Sequence, residues 1–412
     1  MRQQVRLPGT VDSSPIYLHG VAIDGATHDA FFVTTTYGIT LAIDAASGKI
    51  LWRWTPPGYS HWAGSAQITT ATPVADPSRR WIYAASPDGR IQKLTVAGGR
   101  AVWRRSITKL PSREKIASSL NFAAGRVIAT TGGYIGDAPP YQGHVAIVSA
   151  GGRLLHVWNS LCSNRRGLLV PSRCPASDSA IWGRAGAVVV PRSGKLLVAT
   201  GNAPWDGRTN WGDAVLVLSA RARLVGNYTP ADTAQLNESD LDLGSTSPVY
   251  LTSNLVAQGG KDGKIRLLSL RRMRGTRPHK GGELQVVSTP SGSELFTAPA
   301  VWRSGKRIWL IAADNGATQA WSLRGGKLHP VWRASDPGTS PVLAGGLLYV
   351  YDPNGGLDVY APATGKLVTK LDCGGGHWNS PIVTDGRIAL PEGDANAHST
   401  SGVLDIWRVK SG

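Results

Sequence analysis

One short pattern recurs along the whole chain, and it constrains the fold more than any other feature. Each copy opens with a small residue, a proline and an aliphatic residue, as in Thr72-Pro73-Val74 and Ser340-Pro341-Val342. A short apolar segment follows, then a tight turn such as Asp262-Gly263, and then a second segment that often ends at a tryptophan. Repetition of one unit over 412 residues predicts a repeat architecture rather than several unrelated domains.

The residues of each copy are those of antiparallel hairpins. Asp-Gly and Asn-Gly pairs supply the positive φ angles of tight hairpin turns, and β-branched and aromatic residues fill the short strands between them. Helix-length amphipathic segments are nearly absent, because 50 glycines and 26 prolines interrupt the chain throughout. The 15 tryptophans against 4 phenylalanines indicate one tryptophan at an equivalent place in the repeated unit, where it would pack between neighbouring sheets.

Four short strands in each unit correspond to one blade of a β-propeller. We therefore predict an all-β chain that forms a single eight-bladed β-propeller domain over residues 1–412, with seven blades as the fallback. The last copy leaves no room for a fourth strand, so we expect residues 3–8 to supply it and close the ring without unpaired edges. The predicted blades lie near 11–55, 68–106, 118–160, 180–230, 244–290, 296–335, 338–372 and 377–409.

The unit Ala-x-Asp-x-x-x-Gly-x-x-x-Trp, clearest at residues 42–52, resembles the tryptophan-docking motif of the pyrroloquinoline-quinone (PQQ) repeat propellers. This family includes quinoprotein alcohol dehydrogenases, polyvinyl-alcohol-dehydrogenase-like proteins and outer-membrane assembly propellers. The resemblance covers essentially the whole chain at the level of the repeat. Because some members bind no quinone, it implies the fold but does not by itself imply an activity.

A narrower resemblance to the quinoprotein dehydrogenases lies within residues 180–265. Trp182 resembles the tryptophan that lies beneath the quinone ring, and Asn202, in Thr-Gly-Asn, resembles an asparagine that ligates calcium. Asp242 stands at about the spacing of the catalytic aspartate and, with Asn202, would contact the metal. Lys261 is similar to the basic residue that approaches the quinone oxygens. The resemblance implies PQQ and calcium as cofactors, an alcohol or polyol as substrate, and an external electron acceptor.

The implied chemistry follows from the residue types. A flat aromatic side chain stacks on a flat cofactor, and calcium held by oxygen ligands polarises a quinone carbonyl. The carboxylate of Asp242 would accept the alcohol proton while hydride moves to the quinone, and Lys261 would stabilise the developing negative charge. Under this hypothesis the site lies near the propeller axis.

Each of these residues also has a structural interpretation. Trp182 suits a packing position between blades, and Asn202 suits a turn. Asp242 could accept hydrogen bonds from backbone N–H groups at the start of a strand, and Lys261 could be an ordinary residue of a hairpin turn. The sequence therefore leaves open whether the chain is an enzyme.

Three departures from the dehydrogenases favour a second function. No glutamate stands near residues 132–137, where the calcium-binding glutamate is expected, and Asp137 is the acidic residue there. The chain also lacks the adjacent-cysteine pair of that family and any Cys-x-x-Cys-His haem motif. The alternative is a non-catalytic propeller that binds a protein or polymer as a scaffold in the cell envelope.

The net charge of +17 permits an anionic partner, such as an acidic polymer. Most of the basic residues are scattered at strand ends and turns, and the one dense run, at 271–280, contains glycine and proline and indicates an exposed loop. We therefore do not expect nucleic acid as a partner. No stretch approaches the roughly 18 apolar residues of a membrane span.

Cysteine usage bears on the compartment. Cys162 and Cys174 enclose a short loop and are candidates for a local disulfide, with Cys373 left over. A disulfide indicates an oxidising compartment. We therefore expect a periplasmic or secreted protein whose export signal is not present in this chain.

Overall fold

Eight four-stranded antiparallel sheets make up the computed structural model, which describes residues 2–408. Met1 and residues 409–412 of the predicted domain, including the last residue of the predicted eighth blade, lie outside the described residues. The sheets confirm the predicted all-β, eight-bladed propeller rather than the seven-bladed fallback.

The described chain opens with β1 (Arg2–Leu7), which belongs to blade 8. Blade 1 contains β2 (Ile16–Ile23), β3 (Ala26–Thr34), β4 (Thr40–Asp44) and β5 (Ile50–Trp54). Blade 2 contains β6 (Val74–Ala75), β7 (Trp81–Ser86), β8 (Arg90–Thr95) and β9 (Ala101–Ser106). Blade 3 contains β10 (Asn121–Ala123), β11 (Arg126–Thr130), β12 (His144–Ser149) and β13 (Leu154–Asn159). Blade 4 contains β14 (Val188–Val189), β15 (Leu196–Ala199), β16 (Val215–Leu218) and β17 (Leu224–Tyr228).

Blade 5 contains β18 (Val249–Tyr250), β19 (Leu255–Gly259), β20 (Lys264–Ser269) and β21 (Gln285–Ser288). Blade 6 contains β22 (Ala300–Ser304), β23 (Arg307–Ala313), β24 (Thr318–Arg324) and β25 (Lys327–Ala334). Blade 7 contains β26 (Val342–Ala344), β27 (Leu347–Tyr351), β28 (Leu357–Ala361) and β29 (Lys366–Leu371). Blade 8 contains β30 (Ile382–Thr384), β31 (Arg387–Glu392) and β32 (Gly402–Arg408), with β1 as its fourth strand.

Helical segments are short and lie in the connections between strands. The α-helix α1 spans Thr233–Glu238, and single 3₁₀ turns span Tyr59–His61, Pro171–Arg173, Leu243–Ser245 and Ala395–Ala397. From residue 2 to residue 408, no helix has both the length and the apolar character that crossing a membrane requires.

The N-terminal strand closes the ring, as the sequence predicted. Strand β1 pairs antiparallel with β32, with Val5 opposite Leu404. Arg2 strengthens this edge, because its guanidinium bonds the buried Asp405 carboxylate at 2.7 Å and lies 3.0 Å from Glu392 Oε1. Blade 8 thus has four paired strands although its sequence copy holds three.

The recurrent tryptophan fastens one blade to the next. Trp52, in β5 of blade 1, donates its indole N–H to the carbonyl of Val96 in blade 2 at 2.8 Å. A Cβ at Gly99 would lie 2.5 Å from the Trp52 ring, so glycine leaves the space that the indole fills. Trp103 and Gly152 repeat the arrangement between blades 2 and 3, with a 3.0 Å hydrogen bond to a carbonyl in the receiving turn. The glycine and tryptophan of the repeat are therefore two halves of one inter-blade contact.

The strand order sorts the connections onto two faces of the ring. The first strands of neighbouring blades contact each other, because they lie nearest the axis. Connections that enter these first strands, and connections between second and third strands, lie on one face, which we call the axial-site face. The hairpin turns between first and second strands, and between third and fourth strands, lie on the opposite face, which we call the turn face.

The long connection between blades 3 and 4 contains a disulfide. Cys162 and Cys174 are bonded, with their Cα atoms 6.1 Å apart, and this connection runs on the axial-site face. Cys373 is a free and buried cysteine.

Candidate functional site

A cavity of about 410 Å³ opens at the axis on the axial-site face. Three of the four residues singled out for a cofactor site, Trp182, Asp242 and Lys261, line it. The fourth, Asn202, lies beside the cavity and contacts Asp242 through its backbone, because its N–H donates to Asp242 Oδ1 at 2.7 Å. The structure therefore places the four residues in one neighbourhood, with Asn202 behind the other three.

Close approach of two backbone segments brings Trp182 toward Asp242. Trp182 lies in the connection that enters β14, and Asp242 immediately precedes the 3₁₀ turn Leu243–Ser245 that leads into β18. Gly183 packs directly on the backbone of Thr246 and Ser247, and a Cβ at this position would overlap both. Glycine after the tryptophan is thus what lets the two axial segments meet.

Asp242 and Lys261 form the polar centre of the site. The ammonium Nζ of Lys261 lies 2.6 Å from Asp242 Oδ2 and 3.1 Å from Asp240 Oδ1. The Lys261 backbone N–H also donates to the Asp242 carbonyl at 3.0 Å, so main chain and side chain are held together. The same Nζ lies 5.8 Å from the centroid of the Trp182 ring, which places a cation beside the aromatic surface.

Burial and charge act in opposite directions on this pair. Burial raises the pKa of the Asp242 carboxyl above its ordinary value, although Lys261 and the Asn202 N–H favour the ionised form. Burial also disfavours the Lys261 ammonium, but Asp242 and Asp240 outweigh it and raise the pKa of Lys261. Asp242 is thus more basic than an ordinary carboxylate, and the neighbouring Lys261 holds its proton more tightly than an ordinary lysine.

Gly201 makes room for the Asp242 carboxylate. A Cβ on Gly201 would overlap Asp242 Oδ1, so the Thr-Gly-Asn segment needs glycine here to let the carboxylate reach the Asn202 N–H. This gives the Thr-Gly-Asn motif a function in positioning the carboxylate, whatever ligand the site holds.

A second buried carboxyl, Asp213, lies behind Asp242 and was missed in the sequence. Its Oδ1 accepts the Leu243 N–H at 2.9 Å, and its Oδ2 is buried without a hydrogen-bond partner among the described residues. Burial, with a further contribution from the Asp242 charge, raises the pKa of Asp213 to about 8. At neutral pH this carboxyl therefore carries a proton.

Three aromatic rings form one wall of the cavity. The ring centroid of Trp182 lies 5.6 Å from that of Trp378 and 5.9 Å from that of Phe296, and all three side chains are partly exposed. The His377 ring stacks on Trp378 with centroids 4.3 Å apart. The wall is broader than the single tryptophan that the sequence indicated.

Two cationic side chains, Lys115 and Arg184, are buried at or beside this cavity. Lys115 lines the cavity and is about nine-tenths buried, and burial together with the Arg184 charge lowers its pKa to about 8. Arg184 is also buried, but its guanidinium is used structurally, because it donates to the carbonyls of Asp12, Thr70 and Ala117. Lys115 is thus the cation with capacity for a ligand, and Arg184 joins the axial connections.

Asp12 and His377 form a third polar group at the rim. Asp12 Oδ2 lies 2.7 Å from His377 Nδ1, and Asp12 Oδ1 accepts the Trp378 N–H at 2.8 Å. Although burial opposes ionisation, the bond to His377 lowers the pKa of Asp12. Asp12 thereby fixes both the imidazole and the aromatic ring next to it.

A repeat position in the sequence could have revealed several of these residues. Asp12, Thr70, Phe296 and Trp378 each stand three residues before the proline of a repeat copy, and all four line the cavity. The position reaches the axis because the chain turns there into the innermost strand of each blade.

Asp137 also lines the cavity. Its Oδ1 accepts the Tyr141 hydroxyl at 2.7 Å. The acidic residue considered as a stand-in for the missing glutamate therefore lies at the site, engaged with a tyrosine.

Comparison with known proteins agrees with this architecture. The family model described as outer membrane protein assembly factor BamB matches residues 7–174. A quinohemoprotein alcohol dehydrogenase, ADH IIB of Pseudomonas putida, is 30% identical over 114 residues, which are 26% of this chain and 16% of that protein. The match thus spans about a sixth of the length of that relative.

Solved structures resemble the whole chain at low sequence identity. The quinohemoprotein alcohol dehydrogenase of Comamonas testosteroni is similar over 100% of this chain and 77% of its own, with a TM-score of 0.70 and 13% identity. BamB of Moraxella catarrhalis is similar over 100% of this chain and 99% of its own, with a TM-score of 0.57 and 15% identity. The chain therefore shares the β-propeller fold of these proteins. This is the fold that the repeat predicted.

Proposed function

We propose that the axial cavity binds PQQ and that the chain is a dehydrogenase that oxidises an alcohol or polyol. The observation that carries the proposal is the Asp242–Lys261 pair beside the partly exposed Trp182 ring. PQQ is flat and carries several carboxylates, so it calls for an aromatic surface together with cations. The cavity offers both, because Trp182 and Lys115 line it, and its volume is within the usual range for small-ligand sites.

When bound, PQQ supplies the acceptor for the hydride that leaves the alcohol carbon. The hydroxyl proton goes to Asp242 Oδ2, which has a lone pair in addition to the one directed at Lys261. Burial raises the pKa of this carboxyl toward the working pH, which makes it a stronger base. Lys261 stabilises negative charge at the reacting oxygens, and Gly201 keeps the carboxylate in place.

Calcium fits the present donor set less well than PQQ does. Calcium requires six to eight oxygen ligands, whereas Asp242 already accepts the Asn202 N–H and pairs with Lys261. Asp137 is similarly engaged with Tyr141. The proton and hydride steps above therefore involve no metal, and the titration with and without calcium tests whether Asn202 and Asp242 bind it.

The proposal is tested by titrating the purified protein with PQQ, with and without calcium, while tryptophan fluorescence is recorded. Saturable quenching that is lost in Trp182→Ala supports the site. Trp302→Ala is the matched control, because this ring packs on Trp309 in blade 6 and does not line the cavity. Quenching that requires calcium and disappears in Asn202→Ala would assign the metal to this chain. Absence of quenching at high micromolar PQQ would refute the dehydrogenase.

Dye-linked oxidation of a panel of alcohols and polyols then identifies the substrate, with an added dye in place of the external acceptor.

The chain carries a disulfide, which supports the proposed periplasmic or secreted location.

The second candidate is a non-catalytic scaffold of the cell envelope that binds a protein or an anionic polymer. The match of residues 7–174 to the BamB family model favours it, as does the engagement of Asp137 by Tyr141 in place of a calcium-binding glutamate. A protein that folds normally, binds no PQQ and oxidises no alcohol would support this candidate.

A further inference from the structure

Basic residues collect on the turn face of blades 3–6, away from the axial cavity. Blade 4 contributes Arg192 and Lys195 from its first turn and Arg221 and Arg223 from its second, and all four side chains are exposed. None of these four forms a salt bridge with any residue between 2 and 408. One blade therefore presents four uncompensated positive charges on one face.

The neighbouring blades continue this surface. Exposed arginines at 271, 272 and 274 follow β20 in blade 5, and the turns of blade 6 carry Lys306, Arg307 and Lys327. Across the eight turn-face connections of blades 3–6, the described chain has one carboxylate, Glu283, which accepts the Tyr228 hydroxyl. We call this surface the basic face.

The basic face affects a titratable group within it. His156, in β13 of blade 3, has its pKa lowered by burial and then by the charges of Arg126, Arg221 and Arg223. Arginines from blades 3 and 4 thus both lower the pKa of His156, so their charges combine into one positive field.

A groove of about 520 Å³ between blades 4 and 5 gives this surface a specific shape. Its rim carries Arg192, Lys195, Arg271 and Arg274, and its lining includes aliphatic side chains such as Val217. A ligand that fills it needs an anionic group at the rim and an apolar group beneath. This combination is typical of an anionic lipid and is not typical of a uniformly charged polymer.

Most turns of the basic face are short, so they project little from the propeller. Those of blade 6, at 305–306 and 325–326, contain two residues each. The long connection 270–284 of blade 5 runs up the outside of blade 4 instead of projecting, since the Thr229 N–H donates to the His279 carbonyl at 2.9 Å. Cations spread over four adjacent blades suit a planar anionic layer better than a linear strand.

We propose that the basic face docks the propeller on a membrane surface that contains anionic phospholipid, with one headgroup held in the groove between blades 4 and 5. This inference is independent of the proposed dehydrogenase activity. Because the axial cavity opens on the opposite face, a docked propeller presents that cavity away from the membrane.

The test is co-sedimentation of the full chain with vesicles of neutral phosphatidylcholine, with and without about 30% phosphatidylglycerol. We expect binding that depends on the anionic lipid and weakens at least about tenfold when salt is raised to about 0.5 M. The triple variant Arg192→Glu/Lys195→Glu/Arg274→Glu should bind at least about tenfold more weakly than the wild-type chain.

The matched control is Lys109→Glu/Arg113→Glu/Arg166→Glu, which makes the same change in net charge with exposed residues of the axial-site face. It should bind within about twofold of wild type. Equal loss in the two triple variants would overturn the proposal, because net charge alone would then explain binding. No sedimentation of the wild-type chain, or tighter binding to a DNA duplex than to the vesicles, would also overturn it. Circular dichroism verifies that both variants are folded.

Discussion

Lys261 Nζ lies 2.6 Å from Asp242 Oδ2, so the same ammonium both favours the ionised form of the carboxylate and occupies part of its surface. A general base must be ionised to accept a proton, and it must still accept that proton while Lys261 occupies part of the carboxylate. The backbone hydrogen bond between Lys261 and Asp242 limits how far the two residues can separate. Four predictions follow from this pair and from the groups around it.

Asp242→Asn should abolish alcohol oxidation and preserve PQQ binding. The amide keeps the shape of the carboxylate but accepts no proton, so we expect a loss in kcat of at least about 100-fold, typical of a missing general base. Single-turnover kinetics with PQQ-loaded protein measure this loss. Asp240→Asn is the control, because Asp240 also contacts Lys261 but is mostly exposed. Equal activity of Asp242→Asn and wild type would remove Asp242 as the base.

Gly201→Ala should displace the Asp242 carboxylate, because the new Cβ would overlap Asp242 Oδ1. We expect kcat to fall by at least about tenfold, since misplacement of a catalytic group by about 1 Å is costly. Gly151→Ala is the matched control, because the nearest atom to its new Cβ is 3.8 Å away and its backbone has no positive φ. If the two alanine variants are equally active, Gly201 does not position the carboxylate.

PQQ affinity should decrease as the pH is raised through about 8. Burial lowers the pKa of Lys115 to about 8, so its ammonium is charged below that pH and neutral above it. An anionic ligand therefore loses a favourable charge between about pH 7 and pH 9. Fluorescence titrations over this range measure the effect, and Lys115→Arg should reduce it because arginine stays protonated. A flat profile for the wild-type protein would exclude Lys115 from the binding site.

Asp213→Asn should stabilise the protein at neutral pH. The folded protein retains a proton on Asp213 up to about pH 8, whereas the unfolded chain releases it above about pH 4. Wild-type stability therefore falls as the pH rises between these values, and asparagine removes this dependence. We expect a gain in unfolding free energy of at least about 1 kcal/mol at pH 7 that disappears near pH 4, measured by urea denaturation. A gain that is the same at both pH values would contradict a protonated Asp213.

The fold could be read from the sequence because its determinants are local and repeated. Asp-Gly or Asn-Gly turns and short apolar strands recur in most copies, the Gly–Trp contact between blades recurs in three, and each is visible within a few residues. Closure by β1 followed from one missing strand in the last copy. The blade count is therefore a property of the pattern and does not depend on long-range packing.

Only part of the candidate site could be predicted from local sequence patterns. Three lining residues, Trp182, Asp242 and Lys261, could be singled out because their order and spacing in the sequence resemble those of the quinoprotein dehydrogenases. Lys115 and Asp213 have ordinary neighbours in sequence, and their altered pKa values arise from burial by segments distant in the chain. Engagement of Asp137 by the Tyr141 hydroxyl depends likewise on a folded loop.

The pairing of β1 with β32 also fixes the order in which the molecule can be completed during synthesis. Val5 is synthesised almost four hundred residues before its partner Leu404. The first seven blades hold their four strands in sequence and can assemble as they emerge, whereas the eighth must wait for both ends of the described chain. Until then β1 presents an unpaired edge, so protection of that strand by a chaperone or by rapid synthesis should determine the yield of intact rings.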